Sequence, residues 1–314
     1  MIPIPGAEPL RRARNPALGY LMALAAAALF GVNGTVVKVA LDDGLSAYRL
    51  AELRCLASFV IFVAIVAATR PERLRTSRRE LAYLAVFGAC AVVLTQLLYL
   101  LAIRRLKIGV ALVLIFLGPL LVALWARFVG KKQVRPLFWA ALGLSVVGLV
   151  LVVRVWDRFS LDGLGVAFAL AGAGAYALYM LYAEHAVGRR DPISLLCFGF
   201  LFATVVWTVV QPWWSLPWHG LTAEVSLHGN LAGSQLPEWA LVAWIVVLGT
   251  VVPFILVVGS LQHLPATRVA ICGMVEPVIA ALVAYAWLGE TLAPAQLLGG
   301  VLVLVAIGVA QTAR

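Results

Sequence analysis

The stretch Ala270-Ile271-Cys272-Gly273-Met274-Val275-Glu276-Pro277-Val278-Ile279-Ala280-Ala281 decides how the chain is read. It is apolar except for a carboxylate and a proline side by side at its middle. It lies inside a run from Ala266 to Leu288, 23 residues long. As a helix that run measures about 34 Å, enough to cross a bilayer. Glu276 falls near the midplane, where a charge costs about 3 kcal/mol on insertion scales, so its presence calls for a role. Pro277 has no N–H to donate to the carbonyl of Gly273, and its ring crowds that carbonyl. Gly273 is small and flexible, so the helix is expected to break there. A broken helix carrying a buried acid reads as a binding site.

The rest of the composition agrees with a membrane setting. Hydrophobic residues make up 63% of the 314 residues, charged residues 12%, and the mean hydropathy is +1.01. A soluble domain carries about twice that charged fraction. The net charge of +10 does not point to nucleic acid. The basic residues sit in short loops between apolar runs, with no basic domain and no aromatic-basic interleaving. Such charges orient spans against an anionic inner leaflet. Cys55, Cys90, Cys197 and Cys272 all fall inside apolar runs without CxxC spacing or a nearby His, so no disulfide, metal or cofactor is expected. The apolar stretch after the polar segment 1–16 is too long for a signal peptide and is taken as the first span.

Ten spans are expected, at about 17–39, 46–68, 81–102, 108–127, 136–154, 162–183, 192–211, 238–262, 266–288 and 294–312. One connection is long, 212–237, and with Trp213, Trp214, Trp218 and the adjacent Trp239 it reads as an interfacial loop, or alternatively as a lid. Fifteen Lys and Arg fall on the side of the N-terminus, the 2–3, 4–5 and 6–7 loops and the tail. The other side has five: Arg104, Arg105, Lys107, Arg154 and Arg158. That bias places both termini in the cytoplasm.

The chain repeats itself. A shift of 158 brings Leu106 onto Leu264, Pro119 onto Pro277, Ala123 onto Ala281 and Pro136 onto Pro294; a shift of 146 brings Leu18-Gly19 onto Leu164-Gly165. The insertion that separates the two shifts is the 212–237 loop. Five helices per half is an odd number, so the second half is inverted relative to the first. The expected fold is therefore an all-α integral membrane protein, with ten transmembrane helices in two inverted repeats at 17–154 and 162–312 after a cytoplasmic segment 1–16. Inverted repeats with interrupted helices are a transporter signature, with the site at the repeat interface near the midplane.

Two five-helix units, each with a Gly-Pro or Glu-Pro helix and a Gly-containing last helix, resemble the EamA-type transporters of the drug/metabolite transporter superfamily. The residues that carry this are Lys107-Ile108-Gly109-Val110-Ala111 through Gly118-Pro119-Leu120, Leu264-Pro265-Ala266-Thr267 through Glu276-Pro277, and Leu288-Gly289-Glu290-Thr291-Leu292. With Asp162-Gly163-Leu164-Gly165-Val166-Ala167-Phe168-Ala169-Leu170, they look most like the threonine/homoserine exporter branch. The Gly-Glu turn of the second half is Gly130-Lys131-Lys132 in the first. The resemblance implies a secondary transporter of the bacterial inner membrane that exports a small amino acid or related metabolite. A drug or nucleotide-sugar substrate is the main alternative within the same fold.

Candidate site residues follow from polar groups within spans. Glu276 can receive a substrate ammonium or a proton, or bond a neighbouring helix. Its repeat counterpart is Gly118, so one acid rather than two is expected. Pro119, Pro253 and Pro277 interrupt spans; Gly249 and Gly273, four residues before the latter two, favour unwinding that frees carbonyls for a substrate. Asn33 and Tyr179 are repeat counterparts, as are Phe30 and Tyr176. Tyr176 and Tyr179 share a helical face, as do Gln96 and Tyr99; each pair can line a cavity or bond between helices. Arg54 lies inside the second span and can hold a carboxylate, meet a structural partner or snorkel. Arg49 and Glu52 have i,i+3 spacing for an ion pair, Lys38, Glu184 and Arg268 sit near span ends, and Glu290 reads as a cap or gate. His185, His219, His228 and His263 are scattered, and there is no HExxH or P-loop, so neither a metalloenzyme nor an ATP-driven pump is expected. The expected partners are a small-molecule substrate, the lipid bilayer and protons as coupling ion. A membrane enzyme or a non-transporting scaffold are the rivals from other classes.

Overall fold

The computed structural model describes residues 15–312 apart from 104, 107, 132, 134, 155–161, 188–189 and 216–221. Arg11, Arg12, Arg14, Arg104, Lys107, Lys132, Arg158, Arg189, Arg314, Trp218 and His219 lie outside the described residues, so much of the charge bias does too.

Ten successive spans are present. Six are continuous helices: α1 (Pro16–Asp42), α2 (Ala47–Thr69), α7 (Pro136–Val153), α8 (Gly163–Ala186), α9 (Pro192–Val210) and the tenth span. The third span is α3 (Arg78–Val86) and α4 (Leu94–Ile103), joined by a π-helical turn at Phe87–Val93. The fourth is α5 (Ile108–Ile115) and α6 (Gly118–Phe128). The eighth is α10 (Glu238–Val246) and α11 (Val252–Ser260), joined by a π-helical turn at Val247–Val251. The ninth is α12 (Ala266–Gly273) and α13 (Glu276–Val283), running into a π-helical turn at Ala284–Leu288, and α14 (Pro294–Thr312) is the tenth. Among the described residues, nine spans are long and apolar enough to cross a membrane, and the tenth is a shorter apolar helix.

Starts are set by local chemistry. Asn15, Ser77, Asp162 and Asp191 accept from backbone N–H groups in the first turns of α1, α3, α8 and α9. Proline stands in the first turn of α1, α7 and α9, where its missing N–H costs nothing. The N–H of Gly165 bonds Asp162 Oδ1 at 2.7 Å and holds that exposed carboxyl below its usual range, with Arg105 at 3.2 Å adding to the effect.

The repeats are interwoven. α1 packs against α10, α11, α12 and α13 of the second half, and α8 packs against α4, α5 and α6 of the first. A Cβ on Gly19 would stand 2.7 Å from Leu264 and 2.8 Å from His263. The counterpart Gly165 would meet Leu106 at 2.8 Å and Arg105 at 2.9 Å. These contacts map onto each other under the two sequence shifts and lie at opposite ends of the bundle, as inversion requires. The second spans of each half, α2 and α9, pack together, as do the fifth, α7 and α14. Gly148 and Gly299 let the latter pair close: a Cβ on either would come within 2.7 Å of the other's carbonyl oxygen.

Each end of the bundle is tied. At the N-terminal end, buried Arg190 bonds Glu80, Thr76, Ser194 and the Arg73 carbonyl, joining the 2–3 and 6–7 connections. At the opposite end the 212–237 connection forms an antiparallel hairpin, β1 (Glu224–Ser226) with β2 (Gln235–Pro237). Val225 and Leu227 bury against Val36, Val39, Leu50, Leu241 and Ile245. Trp287 Nε1 donates to the Leu227 carbonyl at 2.7 Å, and Asn230 Nδ2 to that of Ala286 at 3.0 Å. The loop is thus docked across span ends, with Trp213, Trp214 and Trp239 exposed. Cys55, Cys197 and Cys272 are buried free thiols.

Candidate functional site

The ninth span breaks where the Gly273-Pro277 spacing predicts. Met274 and Val275 donate to the carbonyls of Ile271 and Cys272, tight i−3 bonds that end α12. Glu276 then opens α13, so the carboxylate stands at a helix N-terminus, where the macrodipole favours negative charge. The fourth span breaks at the equivalent place: Leu117 donates to Leu114, and α6 begins at Gly118. Here the first residue is bare, and the Tyr176 ring occupies the space. A Cβ on Gly118 would come 2.5 Å from Tyr176 Cδ1. Pro253 is accommodated by the π-helical turn before it rather than by a break, with Gly249 buried against Asn33.

Three helices, α2, α4 and α8, bring polar side chains toward Glu276. Arg54 of α2 donates from Nε to Thr250 Oγ1 at 3.0 Å and from Nη2 to the Gly249 carbonyl at 3.5 Å. Thr250 in turn donates to Ile245 O at 2.8 Å, which fixes the π-helical turn as a platform for the guanidinium. Tyr176 of α8 stands at the break itself, its hydroxyl 3.3 Å from where a Cβ on Gly273 would lie, and Arg54 and Tyr99 of α4 are within electrostatic reach of the carboxylate. Gln96, one turn before Tyr99, donates to Cys55 Sγ at 3.8 Å beside Arg54. Among the described residues, the Glu276 carboxylate accepts no hydrogen bond and forms no ion pair within 4.0 Å. Arg54, Gln96, Tyr99, Tyr176 and Glu276 are half-buried rather than sealed. They come from three helices and the ninth-span break, and none is fully covered by its neighbours.

Of the other expected residues, Asn33 borders this group through Gly249, whose carbonyl Arg54 bonds, and Tyr179 packs among aromatic rings. Asn33 is buried, packed on Gly249, and its Oδ1 lacks a partner among the described residues. Tyr179 is buried with an unpartnered hydroxyl, its ring 5.8 Å from Phe87 and 5.7 Å from Phe254. Arg54 is the member that sequence reasoning left among residues with a structural partner. Its depth in an apolar span was visible; its proximity to Glu276, 222 positions away, was not. The span-end residues have defined partners. Arg49 bonds Glu52 at 3.1 Å, Lys38 bonds Glu290 at 2.8 Å, and Glu184 accepts from the first N–H of α12.

A ten-span bundle of interwoven inverted repeats, with a charged residue at an interrupted helix, is the architecture of a membrane transporter. The chain matches the EamA-like transporter family over residues 17–154 and again over 163–311, and it belongs to that family. It is 28% identical over 255 residues to the threonine/homoserine exporter RhtA of Escherichia coli K12, covering 80% of this chain and 78% of that one. An uncharacterized transporter of Archaeoglobus fulgidus is 25% identical over 74% of this chain and 76% of its own. The uncharacterized transporter YcbK of Bacillus subtilis is 24% identical over 93% and 92%. A solved crystal structure superposes with a TM-score of 0.78 over 96% of this chain and 98% of its own at 15% identity, a likeness of fold.

Proposed function

We propose that this protein is a secondary transporter that exports a small amino acid or related metabolite from a bacterial cytoplasm, with both termini inside and the substrate held beside Glu276. The observation that carries this is the mid-span carboxylate at the ninth-span break, without a hydrogen-bond partner among the described residues, with the Tyr176 hydroxyl at the same break and Arg54 within electrostatic reach. A carboxylate in that setting is costly unless it binds a cation or a proton. Substrate ammonium and proton would compete for it, which couples occupancy to protonation. The halves 17–154 and 162–312 supply the moving bodies. Because α1 and α8 are exchanged, each body takes its first helix from the other half. The amino-acid class is supported by the RhtA similarity.

The test is uptake by proteoliposomes of radiolabelled threonine, homoserine and a panel of amino acids and cationic drugs, with and without a pH gradient. Amino-acid uptake that responds to the gradient is the expected result. Uptake of drugs alone, or of nothing in the panel, overturns the reading.

A further inference from the structure

The guanidinium of Arg54 and the carboxylate of Glu276 lie within electrostatic reach of each other without closing into an ion pair. Arg54 is held back by Thr250 Oγ1 and the Gly249 carbonyl, which take Nε and Nη2. Among the described residues, Nη1 has no acceptor and Glu276 has no donor. Two opposite charges in a low-dielectric interior attract strongly unless something fixed keeps them apart. Here the fixing group is the π-helical turn of the eighth span, itself pinned by the Thr250 bond to Ile245 O. The result is a cation fixed by its own hydrogen bonds and an anion fixed at a helix start, each left without a counter-charge in contact, with the Tyr176 hydroxyl at the same break, 3.3 Å from where a Cβ on Gly273 would stand.

We infer that Arg54 is the carboxylate-binding half of the site, and that the site selects zwitterions by reading both ends of the substrate. An α-carboxylate meets the open edge of the guanidinium while the α-ammonium meets Glu276. A molecule with one charge leaves the other group charged, largely desolvated and unpaired, a penalty that rejects it more strongly than lost contact alone. Amines and carboxylic acids of the same size are therefore excluded. The inference rests on the reading of the chain as an amino-acid transporter with its site at Glu276.

The experiment measures uptake of threonine, threonine methyl ester and N-acetylthreonine by proteoliposomes of the full chain. The ester lacks the carboxylate charge, and the N-acetyl compound lacks the ammonium. The wild type should prefer threonine to each analogue by at least about tenfold, the discrimination expected when a buried polar group loses its partner. R54Q should lose the preference over the ester while keeping that over N-acetylthreonine, and E276Q should do the reverse. Arg54→Lys, which keeps the charge, should retain the preference over the ester. If R54Q lowers uptake of all three compounds in proportion, Arg54 only braces the eighth span and the inference is overturned. A wild type that takes up the ester as readily as threonine overturns it without any variant. If the panel shows that another amino acid is carried instead, its methyl ester and N-acetyl derivative take the place of the threonine compounds; transport only of compounds that are not amino acids removes the amino-acid reading itself and this inference with it.

Discussion

The polar half-site and its repeat counterpart have diverged in opposite directions. Under the two sequence shifts, Arg54, Gln96, Tyr99, Tyr176, Thr250 and Glu276 correspond to Phe200, Phe254, Val257, Phe30, Val92 and Gly118. The second set is an apolar seal. Phe254 stands 5.3 Å from Phe200 and 5.7 Å from Phe30, each in a T-shaped contact. Phe200 is fully buried and lies 5.4 Å from Phe62. Edge-to-face rings at these spacings add about 0.5–1.5 kcal/mol beyond their area. The two halves share a backbone plan, down to the break at 116–117 and 274–275. What differs is whether the plan is filled with charged and hydroxyl groups or with packed rings. Duplication supplied the frame, and divergence placed the chemistry on one side of it.

That contrast can be broken by experiment. The largest effect is expected on the sealed side. Phe200→Ala removes ring contacts to Phe62 and Phe254 and should lower unfolding stability in detergent by about 3 kcal/mol. This is the lower end for a buried Phe, because contact rather than water expulsion is what a bilayer protein loses. The threonine-to-ester preference of the surviving protein should be unchanged. On the charged side the pattern reverses. Glu276→Gln should leave thermal stability near wild type yet reduce amino-acid uptake by roughly 10- to 100-fold, the worth of about 1.5–3 kcal/mol in a charged hydrogen bond. Its residual uptake should lose dependence on the pH gradient; uptake at the wild-type rate with an unchanged pH profile would remove Glu276 from the mechanism. Gly118→Ala tests the seam between the halves. Its Cβ meets the Tyr176 ring, so overpacking of about 1–2 kcal/mol is expected, with a raised KM as the ring shifts toward Glu276. Lys38→Ala should do least. The Lys38–Glu290 pair is half-exposed on both sides, and such pairs are worth below about 1 kcal/mol.

Much of this frame is legible in the sequence because membrane helices announce themselves by length and hydropathy, and breaks by proline. The ninth span is observed at Ala266–Leu288, matching the expected bounds, and the stop at Gly273 follows from Pro277. The π-helical turn at Phe87–Val93 carries no proline and no such signal. It could be inferred only from its counterpart before Pro253. The hairpin at 224–237 was hidden by its short strands, three residues each, inside a Trp-rich loop. Within the site, hydropathy marks Glu276 and Arg54 as anomalies, but a period of 3.6 says nothing about which helices adjoin. Tyr176 and Tyr179, three residues apart, illustrate the limit. The first sets its hydroxyl against Gly273 at the ninth-span break, and the second turns into the aromatic seal.

The exchange of α1 and α8 between the halves has a consequence for biogenesis. The seat for α1 is built by spans eight and nine, so more than two hundred residues must be synthesised after Asp42 before Ala266 appears. At about 5–20 residues per second, α1 waits in the bilayer for roughly ten to forty-five seconds. During that interval its glycine-lined face at Gly19 and Gly31 lies open. Any other helix with a matching small-residue groove, including the same helix of a nascent neighbour on the polysome, can compete for it. A chain truncated after the seventh span would carry α8 seated in its proper place and α1 still without one.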